Sequence, residues 1–243
     1  MKNLKSYGFK TENSTYIIAE IGINHNGDIN LAKKLIESAA RSGVDAVKFQ
    51  TYLTEKRVPK DSPIFEILKK CELPFESFLE LKEYAEKFNV EFFSTPFDYE
   101  SVDYLESINI NLYKIASFDI VNTNLLHKIA KTLKPIILSV GMSNIKEINN
   151  AFETIKAYNK NIALLHCVSS YPTHENDSNI SVIHKLKESF DCVIGQSDHT
   201  NDIQVPLYSV CCGAQILEKH YMIDENMKCI DSPVSITEKK MHK

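Results

Sequence analysis

The chain has 243 residues, 43% of them hydrophobic and 25% charged, an ordinary globular composition with enough apolar content for one sizeable core and room for one or two domains. A net charge of -4 argues against a nucleic-acid or membrane-surface role. No uncharged apolar run approaches the roughly 20 residues of a membrane span, and the N-terminal MKNLKSYGFKTENS carries lysines without the apolar stretch of a signal peptide. The six cysteines, at 71, 167, 192, 211, 212 and 229, include no pair with zinc-ribbon spacing. They read as reduced core cysteines of a cytoplasmic protein.

Along the chain, short β-like runs alternate with helical ones. YIIAEI (16–21) reads as a buried strand, and NLAKKLIESAARSG (30–43) as a helix closed by Gly43. DAVKFQ (45–50) is a second strand, followed by a longer polar loop with Pro59, Pro63 and Pro74. FESFLELKEYAEKF (75–88) is helical, VEFFSTP (90–96) a strand, YESVDYLESI (99–108) a helix and NLYKIAS (111–117) a strand. NTNLLHKIAKT (122–132) is a helix with Asn or Thr as its cap. PIILSVG (135–141) is a strand, NIKEINNAFETIKAY (144–158) an amphipathic helix and NIALLHC (161–167) a strand. NISVIHKLKESF (179–190) is a helix, CVIGQS (192–197) a strand, DIQVPLYSVCCG (202–213) a helix and AQILEKH (214–220) the eighth strand.

Apolar strands, each followed by a helix, point to a parallel sheet covered on its outer face. Eight such units predict a single α/β domain over 1–243, a (β/α)8 barrel, rather than an open sheet. No Gly-x-Gly-x-x-Gly turn supports a dinucleotide site. After the eighth strand only ITEKKMHK (236–243) could begin an eighth helix, which is therefore expected to be largely missing. That would leave an apolar strip beside the seventh helix for a second copy or another chain to cover.

Chemistry in such barrels collects at the C-terminal ends of the strands. These ends carry Glu20; Lys48 and Gln50; Thr95; Lys114, Ser117 and Asp119; Ser139; His166, Ser169 and Tyr171; Ser197, Asp198 and His199; Glu218, Lys219 and His220. Two lysines among several hydroxyls suit an anion bearing phosphate, carboxylate or both. Alternatively, Lys48 is the partner of Glu20 and Lys114 of Asp119. His199 and His220 end adjacent strands, so they can share a divalent ion such as Mn²⁺ or Mg²⁺ completed by water. Otherwise His199 caps the following helix and His220 is a hydrogen-bonded mouth residue.

The stretch IIAEIGINHNGDINLAKKLIESAARSGVDAVKFQTY, followed in order by FFSTPFD, YKIAS, ILSVGM, LHCVSSYPT, GQSDHT and LEKHY, resembles the N-acetylneuraminate (sialic acid) synthase family, which includes the pseudaminic and legionaminic acid synthases. The resemblance runs from about residue 16 to 235. It implies a (β/α)8 barrel that condenses phosphoenolpyruvate with an N-acetylated amino sugar, N-acetylmannosamine or a related one, to give a nonulosonic acid and phosphate. It further implies that Lys48, Thr95, Lys114, Ser117, Ser139, Ser169 and Ser197 hold phosphoenolpyruvate, that His199 and His220 bind Mn²⁺ or Mg²⁺, and that Glu20, Gln50, Asp119, Tyr171 and Asp231 face the sugar. Glu20 or Asp119 would take the proton of the attacking water, and Lys48 and Lys114 would stabilise the departing phosphate.

Several features depart from the family pattern. Members usually carry a small C-terminal antifreeze-like domain that closes a neighbour's site with an arginine, and the 243 residues end before any such domain; the expectation is therefore a lid supplied by another chain, with a homo-oligomer as one form of it, an open site, or a truncated product. Ser232 follows Asp231 where many sialate enzymes have histidine, Phe118 and Asp119 stand where glycine and glutamate are frequent, and Ser169 replaces a common asparagine. These changes leave the sugar open among the branches. Another phosphoenolpyruvate–aldose synthase, or a non-catalytic partner subunit needing a second chain, are the other readings.

Overall fold

The computed structural model describes residues 8–9 and 15–242. The chain order is β1 (Tyr16–Gly22), α1 (Ile29–Arg41), β2 (Ala46–Thr51), α2 (Thr54–Arg57), α3 (Phe65–Cys71), α4 (Phe75–Lys87), β3 (Glu91–Pro96), α5 (Tyr99–Ser107), β4 (Tyr113–Ile115), α6 (Thr123–Ala130), β5 (Ile136–Ser139), α7 (Ile145–Lys156), β6 (Ile162–His166), α8 (Val182–Ser189), β7 (Val193–Asp198), α9 (Gln204–Cys211), β8 (Ile216–Met222), β9 (Ile236–Thr237) and α10 (Glu238–Met241). Strands β1 to β8 pair in sequence order, all parallel, and β8 returns to β1. This is the closed (β/α)8 barrel expected from the strand count.

Local signals set the helix limits. The Asp28 side chain accepts from the backbone N–H groups of Asn30 and Leu31 to start α1, and Gly43, with φ +79°, lies just past its end. Asn144 and Glu147 form a reciprocal capping box on α7. The helix expected at 122–132 starts at Thr123, with Asn122 as its cap, accepting from Leu125 N–H. The polar loop expected after the second strand holds two short helices instead. There Leu68 and Cys71 of α3 pack with Ile23, Tyr52 and Phe97 in a small cluster of their own. Prolines at 59, 63 and 74 mask this in the pattern, since each reads as a break. The fourth strand is shorter than expected, because the chain turns into a 3-10 helix over Ser117–Val121.

Alternation along the strands separates two cores. Ala19, Val47, Phe92 and Ile194 face outward into the layer between barrel and helices. Ile18, Ala46, Phe93, Leu112, Ile137 and Ile216 face inward and plug the barrel. Counting two residues onward from each inward position reaches Glu20, Lys48, Thr95, Lys114, Ser139 and Glu218. The apolar plug is therefore the base on which the polar side chains stand.

After β8, a 3-10 turn over Ser232–Val234 leads into β9, which pairs with β8, and into α10. An apolar groove of about 260 Å3 beside α9 is lined in part by Ile17, Leu207, Leu217, Ile236 and Met241. Part of the strip expected there is thus covered by β9 and α10. Among the described residues no helix is long and apolar enough to cross a membrane.

The outer face of the β7–β8 seam carries a buried ion pair. Lys219 Nζ lies 2.5 Å from Asp198 Oδ2 and also donates to the Thr200 carbonyl; both charged residues are 3% exposed. Removing one partner strands the other charge in the interior. Lys219→Ala is expected to lower stability by about 3–5 kcal/mol, read by chemical denaturation. The Asp198→Ala/Lys219→Ala double variant should lose less than the sum of the single losses.

Candidate active site

A cavity of about 330 Å3 opens at the C-terminal mouth of the barrel. Its floor is a buried cluster of charges. Lys48 Nζ lies 2.7 Å from Glu20 Oε2, 3.6 Å from Glu218 Oε2 and 3.1 Å from Thr95 Oγ1. Lys114 Nζ donates to Ser139 Oγ at 2.7 Å and lies 3.5 Å from Glu218 Oε1, which also accepts from Ser197 Oγ at 2.8 Å. Lys48 thus pairs with Glu20, one of the two arrangements the strand ends allowed. The alternative pairing of Lys114 with Asp119 does not form; Lys114 meets Glu218, two residues beyond inward-facing Ile216.

Burial and neighbours set the protonation of this floor. Burial disfavours the Lys48 ammonium, but Glu20 and Glu218 outweigh it and raise its pKa. Burial lowers that of Lys114, Glu218 opposing and Lys48 reinforcing the effect. Burial raises Glu20 well above the usual carboxylate range, against the pull of Lys48 and with help from the Glu218 charge. Glu218 is also penalised by burial, yet the two lysines hold it below its ordinary value.

Gly22, at φ +54°, lets three side chains converge above this floor. A Cβ there would stand 3.1 Å from Glu20 Oε1, 3.2 Å from Gln50 Nε2 and 3.5 Å from Asp231 Oδ2. Gln50 donates to Glu20 Oε1 at 3.2 Å. Asn24, from the NHNG run, donates to the Tyr221 carbonyl and to Ser235 Oγ and accepts from Asp231 N–H, so it fastens the loop that carries Asp231.

His199 and His220 lie side by side, ring centroids 5.7 Å apart. His199 Nδ1 donates to the Val168 carbonyl at 2.7 Å. That assigns the lone pair to Nε2, which accepts from Tyr171 Oη at 2.9 Å while the two rings stack. His220 Nδ1 is buried without a hydrogen-bond partner and lies 3.4 Å from Asp231 Oδ2. Burial is the main cause of depressed pKa values at both rings, about 4 for His199 and about 3 for His220; the neighbouring ring adds to it at His199, and the Lys48 charge adds to it at His220. Both are therefore neutral near pH 7. Among the described residues no group of three or more His, Cys, Asp or Glu side chains is arranged to hold a metal, so an ion here would rest on two imidazoles and on oxygens from solvent or substrate.

Of the residues singled out in the sequence, Glu20, Lys48, Gln50, Thr95, Lys114, Ser117, Ser139, Ser169, Tyr171, Ser197, His199 and His220 line the cavity. Asp119 and Asp231 do not. Asp119 is buried behind the wall, where Oδ1 accepts from Asn122 and burial raises its pKa to about 6. Asp231 approaches His220 Nδ1 and the Glu20–Gln50 pair from beside the cavity, and burial likewise raises its pKa. His166, off the inward parity, points away and bonds the Ser178 carbonyl. His25 is buried against Phe49, its Nδ1 accepting from Gly27 N–H.

Sequence reasoning places Glu218 at a strand end without giving it a role, and passes over Cys167, Arg57, Phe97 and Met142; all five are on the cavity wall. Strand parity would pick out Glu218 and Cys167, two residues beyond inward-facing Ile216 and Leu165. The other three lie on or just after strand-end loops that periodicity does not reach. All six cysteines are free; Cys167 Sγ is 2.9 Å from Ser117 Oγ.

A family model, NeuB, matches residues 35–243. The chain is 43% identical over 239 residues to N,N'-diacetyllegionaminic acid synthase of Campylobacter jejuni, covering 91% of this chain and 72% of that protein. It is 48% identical over 225 residues to an uncharacterized protein of Methanocaldococcus jannaschii, covering 91% of this chain and 66% of that one. Among solved structures, the N-acetylneuraminic acid synthetase of Leptospira borgpetersenii, in complex with citrate, superposes with a TM-score of 0.93 at 41% identity, covering 95% of this chain and 81% of that one. The chain thus spans about two thirds to three quarters of the length of these two curated relatives.

The imidazoles supply a direct test of the site's electrostatics. Because burial opposes their charged form, the ring resonances of His199 and His220 in metal-free protein should stay those of neutral imidazole from pH 8 down to pH 5. An NMR titration showing either ring protonating near the ordinary value of about 6.5 would contradict the burial described.

Proposed function

This chain belongs to the NeuB family, and we propose that it condenses phosphoenolpyruvate with an N-acetylated amino sugar to give a nonulosonic acid and inorganic phosphate. The observation that carries the proposal is the floor of the cavity. Two buried lysines, ringed by the hydroxyls of Thr95, Ser139 and Ser197, form a site for a compact, multiply charged anion. Assembly of all these groups within one chain favours a catalytic role over that of a non-catalytic partner subunit.

In the proposed reaction the enol carbon of phosphoenolpyruvate attacks the aldehyde carbon of the open-chain sugar, forming the new carbon–carbon bond. Water adds to the pyruvyl carbon, and the carbon–oxygen bond to phosphate then breaks. Lys48 and Lys114, with Thr95, Ser117, Ser139, Ser169 and Ser197, hold the phosphate and carboxylate and stabilise the charge that grows on the departing phosphate. Of the two carboxylates weighed as base, Glu20 lines the cavity and Asp119 does not, so we assign the water's proton to Glu20. Its raised pKa makes it a better proton acceptor than an exposed carboxylate. Gln50 and Tyr171 face the sugar, while Asp119 and Asp231, off the cavity lining, act on it through their charge.

The lone pair on His199 Nε2 and the unpartnered His220 Nδ1 fit a divalent ion, Mn²⁺ or Mg²⁺, once Tyr171 releases His199. When bound, such an ion supplies Lewis-acid polarisation of the aldehyde oxygen. N-Acetylmannosamine is one acceptor to test, and the match to a diacetyllegionaminic acid synthase is the reason to include diacetamido sugars.

The protein with Mn²⁺ is expected to release phosphate from phosphoenolpyruvate with at least one sugar of that panel, and to stop when a chelator is added. His199→Ala should abolish the metal-dependent rate, and Glu20→Gln should lower kcat by about 10²–10⁴. Near-normal turnover in His199→Ala would remove the metal from the proposal, and silence on every sugar would favour the partner-subunit reading.

A further inference from the structure

Arg57 is a charged residue on the cavity wall to which the reaction above gives no role. It ends α2, just beyond β2, and its guanidinium carbon lies 3.8 Å from the Phe97 ring centroid and 4.6 Å from that of Tyr52. Nη1 donates to Gln50 Oε1 at 3.1 Å. A guanidinium carries five N–H donors, and no carboxylate among the described residues comes within the 4.0 Å of an ion pair with it. A part-buried cation with unused donors gains from a ligand acceptor that replaces water. Arg57 lines the cavity, where a ligand can supply one.

The surroundings select the chemistry of that ligand. Gln50 bonds both Arg57 and Glu20, and Glu20 pairs with Lys48. Two side chains thus stand between Arg57 and the lysine floor, which already suits the phosphate and carboxylate of the first substrate. Glu20 and Asp231 stand beside Gln50, the residue Arg57 bonds, and their charges, with that of Asp119, favour the guanidinium, so the position is already part-neutralised and suits a neutral acceptor better than a second anion. With aromatic rings against its face, the guanidinium offers its in-plane N–H edge, which matches an sp2 oxygen. Beside it, Phe118 stacks on Phe97 with centroids 5.5 Å apart and is 48% exposed, an uncovered apolar surface at the mouth.

We propose that Arg57 is a specificity residue for the acceptor sugar: it donates to the acyl oxygen of the N-acetyl group while the acyl methyl rests on Phe97 and Phe118. This assignment rests on the reading of the site as a phosphoenolpyruvate–amino sugar synthase.

The test is steady-state phosphate release by the wild-type chain, Arg57→Ala and Arg57→Lys, varying each substrate in turn. The panel sugar with the highest wild-type rate is compared with its N-deacetylated counterpart. Arg57→Ala should raise KM for the N-acetyl sugar about 10- to 100-fold and leave KM for phosphoenolpyruvate within about twofold. It should also reduce the preference over the free amine by a similar factor. Arg57→Lys, which keeps the charge but not the planar fork, should fall between. An unchanged phosphoenolpyruvate KM excludes simple misfolding as the cause.

If the wild type turns over and sugar KM in Arg57→Ala stays within twofold, or phosphoenolpyruvate KM rises as much as that of the sugar, the Arg57 assignment alone is overturned. Calorimetric titration of the same sugar into protein saturated with phosphoenolpyruvate covers the remaining case. Where sugar binds without turnover, the 10- to 100-fold loss is read on Kd instead. A wild-type chain that neither turns over nor binds any N-acetyl amino sugar removes the reading of the site and this assignment together.

Discussion

Two lysine ammoniums share one carboxylate at the bottom of the cavity, and the rest of the site is arranged around that constraint. Lys48 comes from β2, Lys114 from β4 and Glu218 from β8, with contacts of 3.6 and 3.5 Å to the two Glu218 oxygens. Burying an ion costs several kcal/mol even after the protein relaxes, and two buried cations also repel. The floor is tenable because Glu218 serves both and Glu20 serves Lys48. An incoming anion therefore does not meet bare positive charge. It competes with resident carboxylates for the same ammoniums, so part of its Coulombic gain is offset by the partners it displaces. Such a site suits the proposed reaction, in which a multiply charged substrate is held and phosphate is then released.

That cluster exists only because the barrel closes. The β1–β8 seam sets Ile18 opposite Glu218 and Glu20 opposite His220, while β1–β2 sets Glu20 opposite Lys48. The outer Lys219–Asp198 pair belongs to the same seam system. It holds β7 to β8 from outside, so the residues beside each partner, His199 and His220, emerge on the cavity side at adjacent positions. One strand step separates a structural ion pair from a pair of neutral imidazoles, and alternation alone decides which residue does which.

The barrel is legible in the sequence because it rests on the strongest signals a single chain carries: eight apolar runs, each followed by a helical period, with caps such as Asn122 and glycines such as Gly43 marking the ends. Much of the cavity wall is legible for a related reason, since polar residues at strand ends have few other uses in this architecture. Glu218 is named at its strand end but receives no role, because it sits with Lys219 and His220 in one polar cluster, although the three alternate in, out, in. Asp119 and Asp231 are expected to face the sugar, but both come after their strands on irregular backbone, where no period fixes direction. Arg57 lies in a proline-punctuated stretch that reads as loop. Its place on the wall depends on α2 and on the rings of Tyr52 and Phe97, which tertiary structure alone brings together.

These differences trace a division within the site. The floor is built from strand residues locked by register to an apolar plug, so its side chains have little freedom and its chemistry comes directly from the fold. The upper wall is built from segments beyond the strand ends: Arg57 on a four-residue helix, Phe118 on a 3-10 turn, and Met142 and Tyr171 in loops, the last two 73% and 53% exposed. Substitutions there disturb no strand pairing and leave the Glu20–Lys48 and Glu218–lysine contacts of the floor in place. In the proposed reaction, a barrel arranged this way would keep one anion chemistry at its base while a few residues at the mouth set the acceptor. The departures from the family pattern at Phe118 and Asp119 fall in that upper layer or directly behind it, while Ser169, proposed above to help hold the anion, is an exposed residue of the cavity lining and not one of the buried charges of the floor.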